Sequence, residues 1–302
     1  MHDLIIIGGG PAGMTAAVYA ARKKMDLLLI TKDLGGQLMW TRDIENYMGY
    51  QYITGPELIG KFEEHLKRFP VDIRYEEVTG LAREGDGSFL VTCSDNIYSA
   101  KTVIIASGKR PRRLRVPGEE EFTGRGVGYC ATCDGPLYAG KEVAVVGGGN
   151  SGVQAALELD GIAARVYLIV RSDFRADPVV VEKLAVAKNL EVLKGYEARS
   201  IHGKETVERF VVAARDGRGE RDLAVQGVFV EIGLDPNSEF AQGFAEFNQY
   251  GEFRVDCRTA TPIPGLFAAG DVASGPDKQI IVAAGEGAKA ALVAYEYLLF
   301  RR

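Results

Sequence analysis

One pattern occurs twice in this chain: a short, mainly apolar run, a G-x-G-x-x-G segment and a stretch with helical spacing. In the first copy residues 3–7 lead into Gly8-Gly-Gly-Pro-Ala-Gly13, and in the second residues 142–146 lead into Gly147-Gly-Gly-Asn-Ser-Gly152. A continuous apolar run is typical of a strand buried on both faces of a parallel sheet. We therefore predict two βαβ units. Their helices and second strands are predicted over residues 11–24, 27–31, 150–160 and 165–170.

The glycines of each segment have separate tasks. The first permits the tight turn from strand to helix, the second lets the backbone approach a pyrophosphate, and the third lets helix and strand pack closely. The pyrophosphate then lies on amides at the partly positive start of the helix. Two such segments predict two dinucleotide sites, with FAD at the first and a nicotinamide nucleotide at the second. The predicted ligands are Gly8, Gly10, Pro11, Ala12 and Gly13 for FAD, and Gly147, Gly149, Asn150, Ser151 and Gly152 for the nicotinamide nucleotide.

The rest of the chain fits around these two units. Apolar spacing predicts a helix over residues 55–69 and a long helix over 279–300. Strands are predicted over residues 89–93, 97–98, 102–106, 207–213, 224–231 and 266–269. The fold class is therefore α/β, with two Rossmann-like dinucleotide-binding domains that each contain a parallel sheet plus a small β-meander. We expect a discontinuous FAD-binding domain, residues 1–112 and 242–302, with a nucleotide-binding domain, residues 113–241, inserted into it.

Charge and hydropathy argue against several classes of protein. The formal net charge is -5, and the one basic cluster, residues 110–115, is too short for a nucleic-acid-binding surface. No apolar stretch approaches the roughly 20 residues of a membrane span. The apolar run at residues 4–7 is also too short for the core of a signal peptide. We expect a cytoplasmic protein that binds neither nucleic acid nor membrane.

The four cysteines comprise one close pair, Cys130 and Cys133, and two solitary residues, Cys93 and Cys257. A zinc site needs about four ligands, and the histidines lack ligand-like spacing, so we expect no metal. Cys93 and Cys257 are predicted to be buried small apolar residues. The pair is predicted to be a redox disulfide at the first turn of a helix, where one thiol can have a lowered pKa. The adjacent Asp134 is a candidate acid or base for the thiols.

Two acidic residues are candidates for hydrogen bonds to the dinucleotide. Asp271 follows a predicted buried strand, where a carboxylate can accept a hydrogen bond from a polyol hydroxyl. The helix predicted over residues 279–300 can point its start at a flavin ring and stabilise negative charge on the reduced ring. An acid usually binds the ribose about 20 residues after the first glycine segment. Here Asp33 comes late for that contact.

These segments resemble the low-molecular-weight thioredoxin reductase family over nearly the whole chain. The matching stretches are residues 8–13, 35–38, 44–47, 130–135, 147–152 and 265–272. The resemblance implies that Cys133 lies against the flavin, that Cys130 attacks the partner's disulfide, and that the protein is a homodimer whose nucleotide domain rotates relative to the FAD domain. It further implies FAD contacts from Gly36, Gln37, Leu38, Asn46, Val78, Gly108, Gly270, Asp271, Lys278, Gln279 and Ile280.

The chain departs from that family at the expected nicotinamide nucleotide site. Members carry His-Arg-Arg before Phe-Arg-Ala to hold the 2′-phosphate of NADPH, whereas here only Arg171 and Arg175 remain, and no acid stands at position 169 to select NADH. Residues 150–152, 278–281 and 285–289 are more similar to the flavoprotein of alkyl hydroperoxide reductase. That flavoprotein carries a long N-terminal thioredoxin-like extension, which we do not expect here. NADPH is slightly favoured over NADH as the donor.

The predicted function is thioredoxin-disulfide reduction, with electrons passing from NAD(P)H through FAD and the Cys130–Cys133 disulfide to a thioredoxin-like protein. Two alternatives keep the disulfide chemistry: a thioredoxin reductase that takes electrons from ferredoxin, and a flavoprotein reductase of a peroxiredoxin system. Two further alternatives do not reduce a partner's disulfide. One is a redox sensor that holds FAD structurally, and the other is a dithiol oxidase that uses oxygen.

Overall fold

The computed structural model describes residues 1–41 and 44–300. Its strands are β1 (His2–Gly9), β2 (Leu27–Leu34), β3 (Asp72–Tyr75), β4 (Val78–Arg83), β5 (Phe89–Cys93), β6 (Ile97–Ile105), β7 (Lys109–Pro111), β8 (Val127–Gly128), β9 (Glu142–Val146), β10 (Arg165–Val170), β11 (Leu190–Lys194), β12 (Tyr196–Gly203), β13 (Val207–Ala214), β14 (Glu220–Leu223), β15 (Gly227–Val230), β16 (Leu234–Pro236) and β17 (Leu266–Ala268).

The α-helices are α1 (Pro11–Arg22), α2 (Gly55–Leu66), α3 (Ala131–Asp134), α4 (Asn150–Asp160), α5 (Pro178–Glu182) and α6 (Ile280–Phe300). Short 3-10 helices cover Gly36–Trp40, Gly135–Tyr138, Lys183–Val186, Glu239–Ala241 and Gly270–Val272. None of the helices within residues 1–41 and 44–300 has the length and apolar content needed to cross a membrane.

The chain divides into two compact units, residues 1–110 with 235–302, and residues 111–234. The sequence placed the crossings at 112 and 242. Each observed crossing lies within a short strand, β7 or β16. We refer to the discontinuous unit as the outer unit and to residues 111–234 as the inserted unit.

The outer unit is built on a sheet in the order β3-β2-β1-β6-β5-β4, with β17 also paired to β6. Strands β1, β2, β3, β6 and β17 pair in parallel, whereas β4, β5 and the start of β6 form an antiparallel meander. Residues 4–6 of β1 have no exposed surface, because β2 and β6 flank the strand and apolar layers cover both faces. Helices α1 and α6 pack so closely that a Cβ on Gly287 would lie 2.0 Å from the carbonyl oxygen of Ala12.

The inserted unit repeats this plan on a smaller scale. Its parallel sheet has the order β11-β10-β9-β15-β8, and a separate antiparallel meander has the order β12-β13-β14. The residues of β9 and β10 beyond the first of each strand are buried, as the continuous apolar runs predicted. Two parallel sheets, each with a meander, confirm the predicted α/β class and the two Rossmann-like domains.

Several element bounds differ from the predictions for identifiable reasons. Residues 97–105 form one strand where we predicted two short ones, because Ala100 pairs with Phe89 on one side and with His2 on the other. The strand predicted over 224–231 is shorter and covers only Gly227–Val230, which pair with β9. Strand β2 continues to Leu34, three residues past the predicted end.

Candidate active site

The first glycine segment has the steric pattern of a dinucleotide cradle. A Cβ on Gly8, whose φ is +113°, would lie 2.3 Å from the carbonyl oxygen of Ala106, and one on Gly13 would lie 1.8 Å from that of Gly8. The first and third glycines are therefore fixed by packing. A Cβ on Gly10 would meet no heavy atom within 4 Å. The second glycine thus faces open space at the start of α1, where Pro11 is the first helical residue, as the approach of a pyrophosphate requires.

Four polar side chains expected at FAD come together in pairs. The Nε2 of Gln37 donates to Oδ2 of Asp271 over 3.1 Å, and the Nδ2 of Asn46 donates to Oε1 of Gln279 over 3.3 Å. Each pair joins residues more than 230 positions apart in the sequence. The fold therefore gathers the amides and the carboxylate of the expected FAD contacts.

The carboxylate of Asp271 is held in position by the residues around it. Gly270, with φ +75°, precedes it, and the Gly270 amide donates to Oε2 of Glu286 on α6 over 2.7 Å. Burial raises the pKa of Asp271, although the positive charges of Lys278 and Lys109 act in the opposite direction. A hydrogen bond donated by a hydroxyl group would stabilise the ionised form of this buried carboxylate. A ribityl or ribose hydroxyl is a donor of that kind.

A buried ion-pair network lies next to Asp271, and the sequence did not predict it. Lys109 and Glu252 form an ion pair with both side chains more than 90% buried. The Nζ of Lys278 lies 3.3 Å from Oε1 of Glu252 and also donates to the carbonyl of Ala273. The opposite charges satisfy one another in this poorly solvated position, which is the usual condition for burying charged groups.

The remaining residues expected at FAD occupy several elements of the outer unit. Gly36 (φ +55°) and Leu38 lie in the 3-10 helix with Gln37, and Gly108 (φ +68°) precedes β7. Ile280 is the first residue of α6, and Val78 begins β4, opposite Cys93. Ala12 lies against Gly270, whose Cβ would be 3.0 Å from the Ala12 side chain. The close packing of Ala12 against Gly270 therefore joins the first glycine segment to the loop that carries Asp271.

The second glycine segment repeats the steric pattern of the first. A Cβ on Gly147 would lie 2.2 Å from the carbonyl oxygen of Glu231, and one on Gly152 would lie 2.4 Å from that of Gly147. A Cβ on Gly149 would meet nothing within 4 Å. The same division of tasks therefore holds at the start of α4. Glycines have no side chains, so the choice between NADPH and NADH must depend on the residues around them.

The residues expected to select the nicotinamide nucleotide lie around this segment. The amide of Arg175 donates to the carbonyl of Gly148 over 2.7 Å, which places Arg175 beside the loop. Asn150 exchanges two hydrogen bonds with Asp177, of 3.0 and 2.7 Å. Arg171 directly follows the end of β10. Both arginines thus follow the carboxyl end of β10, the second strand of this βαβ unit. An adenosine ribose binds at that end of the strand in this fold.

Cys130 and Cys133 form a disulfide, with their Cα atoms 5.3 Å apart, as predicted. Cys130 is the N-cap of α3, and its Sγ accepts the amide of Cys133 over 3.2 Å. The amide of Asp134 donates to the carbonyl of Cys130 over 3.1 Å. A helix N-terminus stabilises negative charge, so this position favours a thiolate once the disulfide is reduced. Asp134 lies in the same turn as the thiols it was expected to serve.

Two acidic residues that the sequence did not single out bind the segment around the disulfide. The buried carboxylate of Glu119 accepts the amides of Leu114 and Arg115 over 2.9 and 2.7 Å and the hydroxyl of Tyr129 over 3.0 Å. It thus ties the start of the inserted unit to the residue before Cys130. The second acid, Glu231, follows β15. The carboxyl end of a parallel strand was a signal that could have identified it.

The solitary cysteines behave differently from each other. Cys93 is buried, as predicted, and burial raises its pKa to about 11, with the nearby carboxylate of Glu76 adding to the effect. The prediction for Cys257 is wrong, because this residue is exposed. It lies in a turn in which Asp256 accepts the amides of Arg258 and Ala260. Within residues 1–41 and 44–300, no group of three or more histidine, cysteine, aspartate or glutamate residues is arranged to hold a metal ion.

Comparisons with known proteins agree with this geometry. A family model described as "Pyridine nucleotide-disulphide oxidoreductase" matches residues 2–287. A protein of Pseudomonas putida that is named as a subunit of alkyl hydroperoxide reductase is 44% identical over 98% of this chain and 58% of its own length. A protein named NADH dehydrogenase from Bacillus subtilis strain 168 is 41% identical, with the same two coverages. The chain therefore spans less than two thirds of the length of these curated relatives.

Solved structures show the same likeness over the whole chain. The thioredoxin reductase of Streptococcus pyogenes MGAS5005 matches with a TM-score of 0.95 and 38% identity, covering 99% of both chains. These similarities confirm the resemblance that the sequence motifs indicated.

Proposed function

The chain belongs to the pyridine nucleotide-disulphide oxidoreductase family, and from that premise we propose that it is a thioredoxin-disulfide reductase. The observation that supports this most is the disulfide between Cys130 and Cys133, which lies in the same unit as the second glycine segment. The likeness to a thioredoxin reductase over 99% of both chains supports the same partner class. A thioredoxin-like protein is the electron acceptor.

The cofactor in this proposal is FAD at the first glycine segment. The open space at Gly10 and the paired polar groups of Gln37 and Asp271 fit a dinucleotide with a polyol chain. When bound, FAD supplies two-electron chemistry that links a hydride donor to a disulfide. Residues of the outer unit would hold and orient it: backbone amides at the start of α1 would receive the pyrophosphate, and Asp271 would accept a hydrogen bond from a hydroxyl.

The dithiol passes its electrons on by thiol–disulfide exchange. Reduction of the Cys130–Cys133 bond consumes two electrons and two protons and gives two thiols. The thiolate of Cys130 attacks one sulfur of the partner's disulfide, forming a mixed disulfide and releasing the partner's other sulfur as a thiolate that takes up a proton. The thiolate of Cys133 then attacks Cys130, which restores the internal disulfide and releases the reduced partner. Asp134, in the same turn, receives and returns the thiol protons.

We propose NADPH as the preferred donor, with NADH as the competing one. Arg171 and Arg175 follow β10, and Arg175 is fixed beside the glycine loop through its amide. Guanidinium groups bind phosphate through paired hydrogen bonds, each worth about 1.5–3 kcal/mol when charge-assisted. The relative named NADH dehydrogenase supports NADH as the alternative donor. The experiment below therefore compares both nucleotides.

The decisive experiment is anaerobic stopped-flow reduction of the flavin by NADPH, NADH and reduced ferredoxin, followed by turnover with a panel of thioredoxin-like proteins. We expect rapid bleaching by a pyridine nucleotide and catalytic reduction of a thioredoxin disulfide. Bleaching by ferredoxin alone would replace the donor in this proposal. Flavin reduction without turnover of any disulfide protein would contradict the proposed function.

A second candidate function is supported by the relative in Pseudomonas putida, which is named as part of alkyl hydroperoxide reductase. Under this alternative the dithiol feeds a peroxiredoxin. Peroxide-dependent NAD(P)H oxidation that requires a peroxiredoxin and proceeds without thioredoxin would favour it.

We propose a homodimer in either case. Apolar residues are exposed on α6, including Ile281, Leu292 and Phe300, and sedimentation of the holoprotein tests the proposed dimer.

A further inference from the structure

Glu231 occupies a position at the second glycine segment that no expectation assigned. It follows β15, and its amide donates to the carbonyl of Val146 over 2.8 Å. A Cβ atom on Gly147 would lie 2.2 Å from the carbonyl oxygen of Glu231. The main chain of Glu231 is thus packed against the first glycine of the nucleotide loop, and this fixes where its side chain starts.

The carboxyl group of Glu231 joins the starts of two helices. Oε1 accepts the amide of Ala131, the first residue of α3 and the neighbour of Cys130, over 3.1 Å. Oε2 accepts the hydroxyl of Ser151 in the first turn of α4. One side chain therefore connects the turn that carries the redox disulfide to the helix that opens at the nucleotide loop.

A second carboxylate, that of Glu158, acts on the carboxyl group of Glu231. Burial raises the pKa of Glu231, and the nearby Glu158 adds to the effect, while the bonds from Ser151 and Ala131 oppose it. Glu158 itself accepts the hydroxyl of Thr132 over 3.0 Å but is exposed to water. Asp134 lies in the same short helix. A carboxylate next to a thiol disfavours the thiolate, because like charges repel strongly where water is scarce.

We propose that Glu231 is a positioning residue for the redox pair: it holds the first turn of α3 against the nucleotide loop, and its charge restrains ionisation of the Cys130 thiol. This inference rests on the proposed redox role of the pair. The helix start favours the thiolate, and Glu231 opposes it, so the nucleophile keeps its proton more firmly than the helix start alone would allow. Asp134 remains the proton-transfer group, and Glu231 acts through position and charge.

The test compares Glu231→Gln with Glu158→Gln in the holoprotein. Both changes replace a carboxyl group close to α3 with an uncharged amide of nearly the same shape, but only the first replaces a buried one. The protein carries Cys257→Ser, because Cys257 is exposed and would also react. After reduction with a phosphine, the rate of iodoacetamide alkylation at Cys130 and Cys133 is followed against pH by mass spectrometry.

In Glu231→Gln we expect the apparent pKa of the reactive thiol to fall by about one unit, giving about tenfold faster alkylation below that pKa. Glu158→Gln should change the rate by less than about twofold, since exposed charges are screened. Glu231→Ala removes the charge together with both hydrogen bonds and should shift the profile in the same direction. It also serves as the second variant if Glu231→Gln does not fold.

An alkylation profile in either Glu231 variant that coincides with that of the parent would overturn the proposal. So would an equal shift in Glu158→Gln. Because the assay uses a chemical reductant and a small electrophile, it needs neither donor nor partner protein. Its outcome is therefore separate from that of the donor and thioredoxin assays that test the proposed function.

Discussion

Residues 8–13 contain four glycines, and the three that form the G-x-G-x-x-G pattern are not all glycine for the same reason. Gly8 and Gly13 are fixed by backbone contacts inside the protein, whereas Gly10 faces open space. Gly10 also has φ -78° and ψ -173°, an extended conformation open to any residue. Protein packing does not account for a glycine at position 10, and the open space there supports the proposed approach of a dinucleotide to the backbone.

This contrast separates binding from folding. Gly10→Ala should leave the free energy of unfolding of the apoprotein within about 0.5 kcal/mol of the parent. It should weaken FAD binding by about tenfold or more, which is about 1.4 kcal/mol, because the methyl group occupies the space of the pyrophosphate. Gly13→Ala, the matched control, should lose about 1–3 kcal/mol of stability through overpacking. Urea denaturation of the apoprotein and a fluorescence titration with FAD measure both effects, and unchanged FAD affinity in Gly10→Ala would place the cofactor elsewhere.

Asp271 makes the outer unit sensitive to pH. Because burial raises its folded-state pKa above the ordinary 3.8, the native state binds the proton more tightly than the unfolded chain does at pH values between the two pKa values. Its contribution to stability is therefore complete below the ordinary pKa and is lost as pH rises through the folded pKa. Asp271→Asn should be more stable than the parent apoprotein at neutral pH, and the difference should shrink toward acid. Urea denaturation at several pH values checks this, and a gain that grows on acidification would contradict it.

At the scale of elements, α2 positions a segment that carries an expected FAD contact. Thr54 caps the helix: its hydroxyl accepts the amide of Glu57, whose carboxylate accepts the Thr54 amide. The next residue, Gly55, packs so closely that a Cβ would lie 2.0 Å from the carbonyl oxygen of Leu38. Leu38 belongs to the 3-10 helix that also holds Gln37. The helix start thus packs against the segment that holds Gln37.

Gly55→Ala should therefore lower FAD affinity, by about threefold to tenfold, through displacement of this 3-10 helix. Gly60→Ala is the matched control, since Gly60 lies in the same helix and its Cβ would meet nothing within 4 Å. The control should gain about 0.5–1 kcal/mol of stability, as alanine replaces glycine inside a helix, with unchanged FAD affinity. Equal FAD affinity in both variants would show that α2 does not position the site.

The sequence predicted local features well, because they depend on local chemistry. The bounds of α4 and β10 were predicted without error, since a glycine loop and an uninterrupted apolar run mark them. Strand β6 was split, because the pairing of Ala100 on both sides is a tertiary property. The bridge that Glu231 makes between Ala131 and Ser151 depends in the same way on residues brought together only by folding.

At the scale of the whole molecule, the chain combines two dinucleotide cradles with one dithiol. Cys133→Ser should keep the folded protein and its FAD, because the side chain is nearly isosteric, and should abolish turnover of disulfide substrates. A redox sensor with structural FAD would show no such turnover in the parent. An oxidase would show oxygen uptake on small dithiols. Thioredoxin turnover that survives in Cys133→Ser would remove the pair from the proposed route.

The most direct measurement is an anaerobic reductive titration of the FAD-loaded protein and of Cys133→Ser, followed by flavin absorbance and thiol count. We predict that the parent takes up one electron pair for the flavin and a second for the disulfide, with two new thiols appearing. The variant should take up only the first pair. Equal uptake in both proteins, or a parent that binds no FAD, would contradict a flavin-linked disulfide between Cys130 and Cys133.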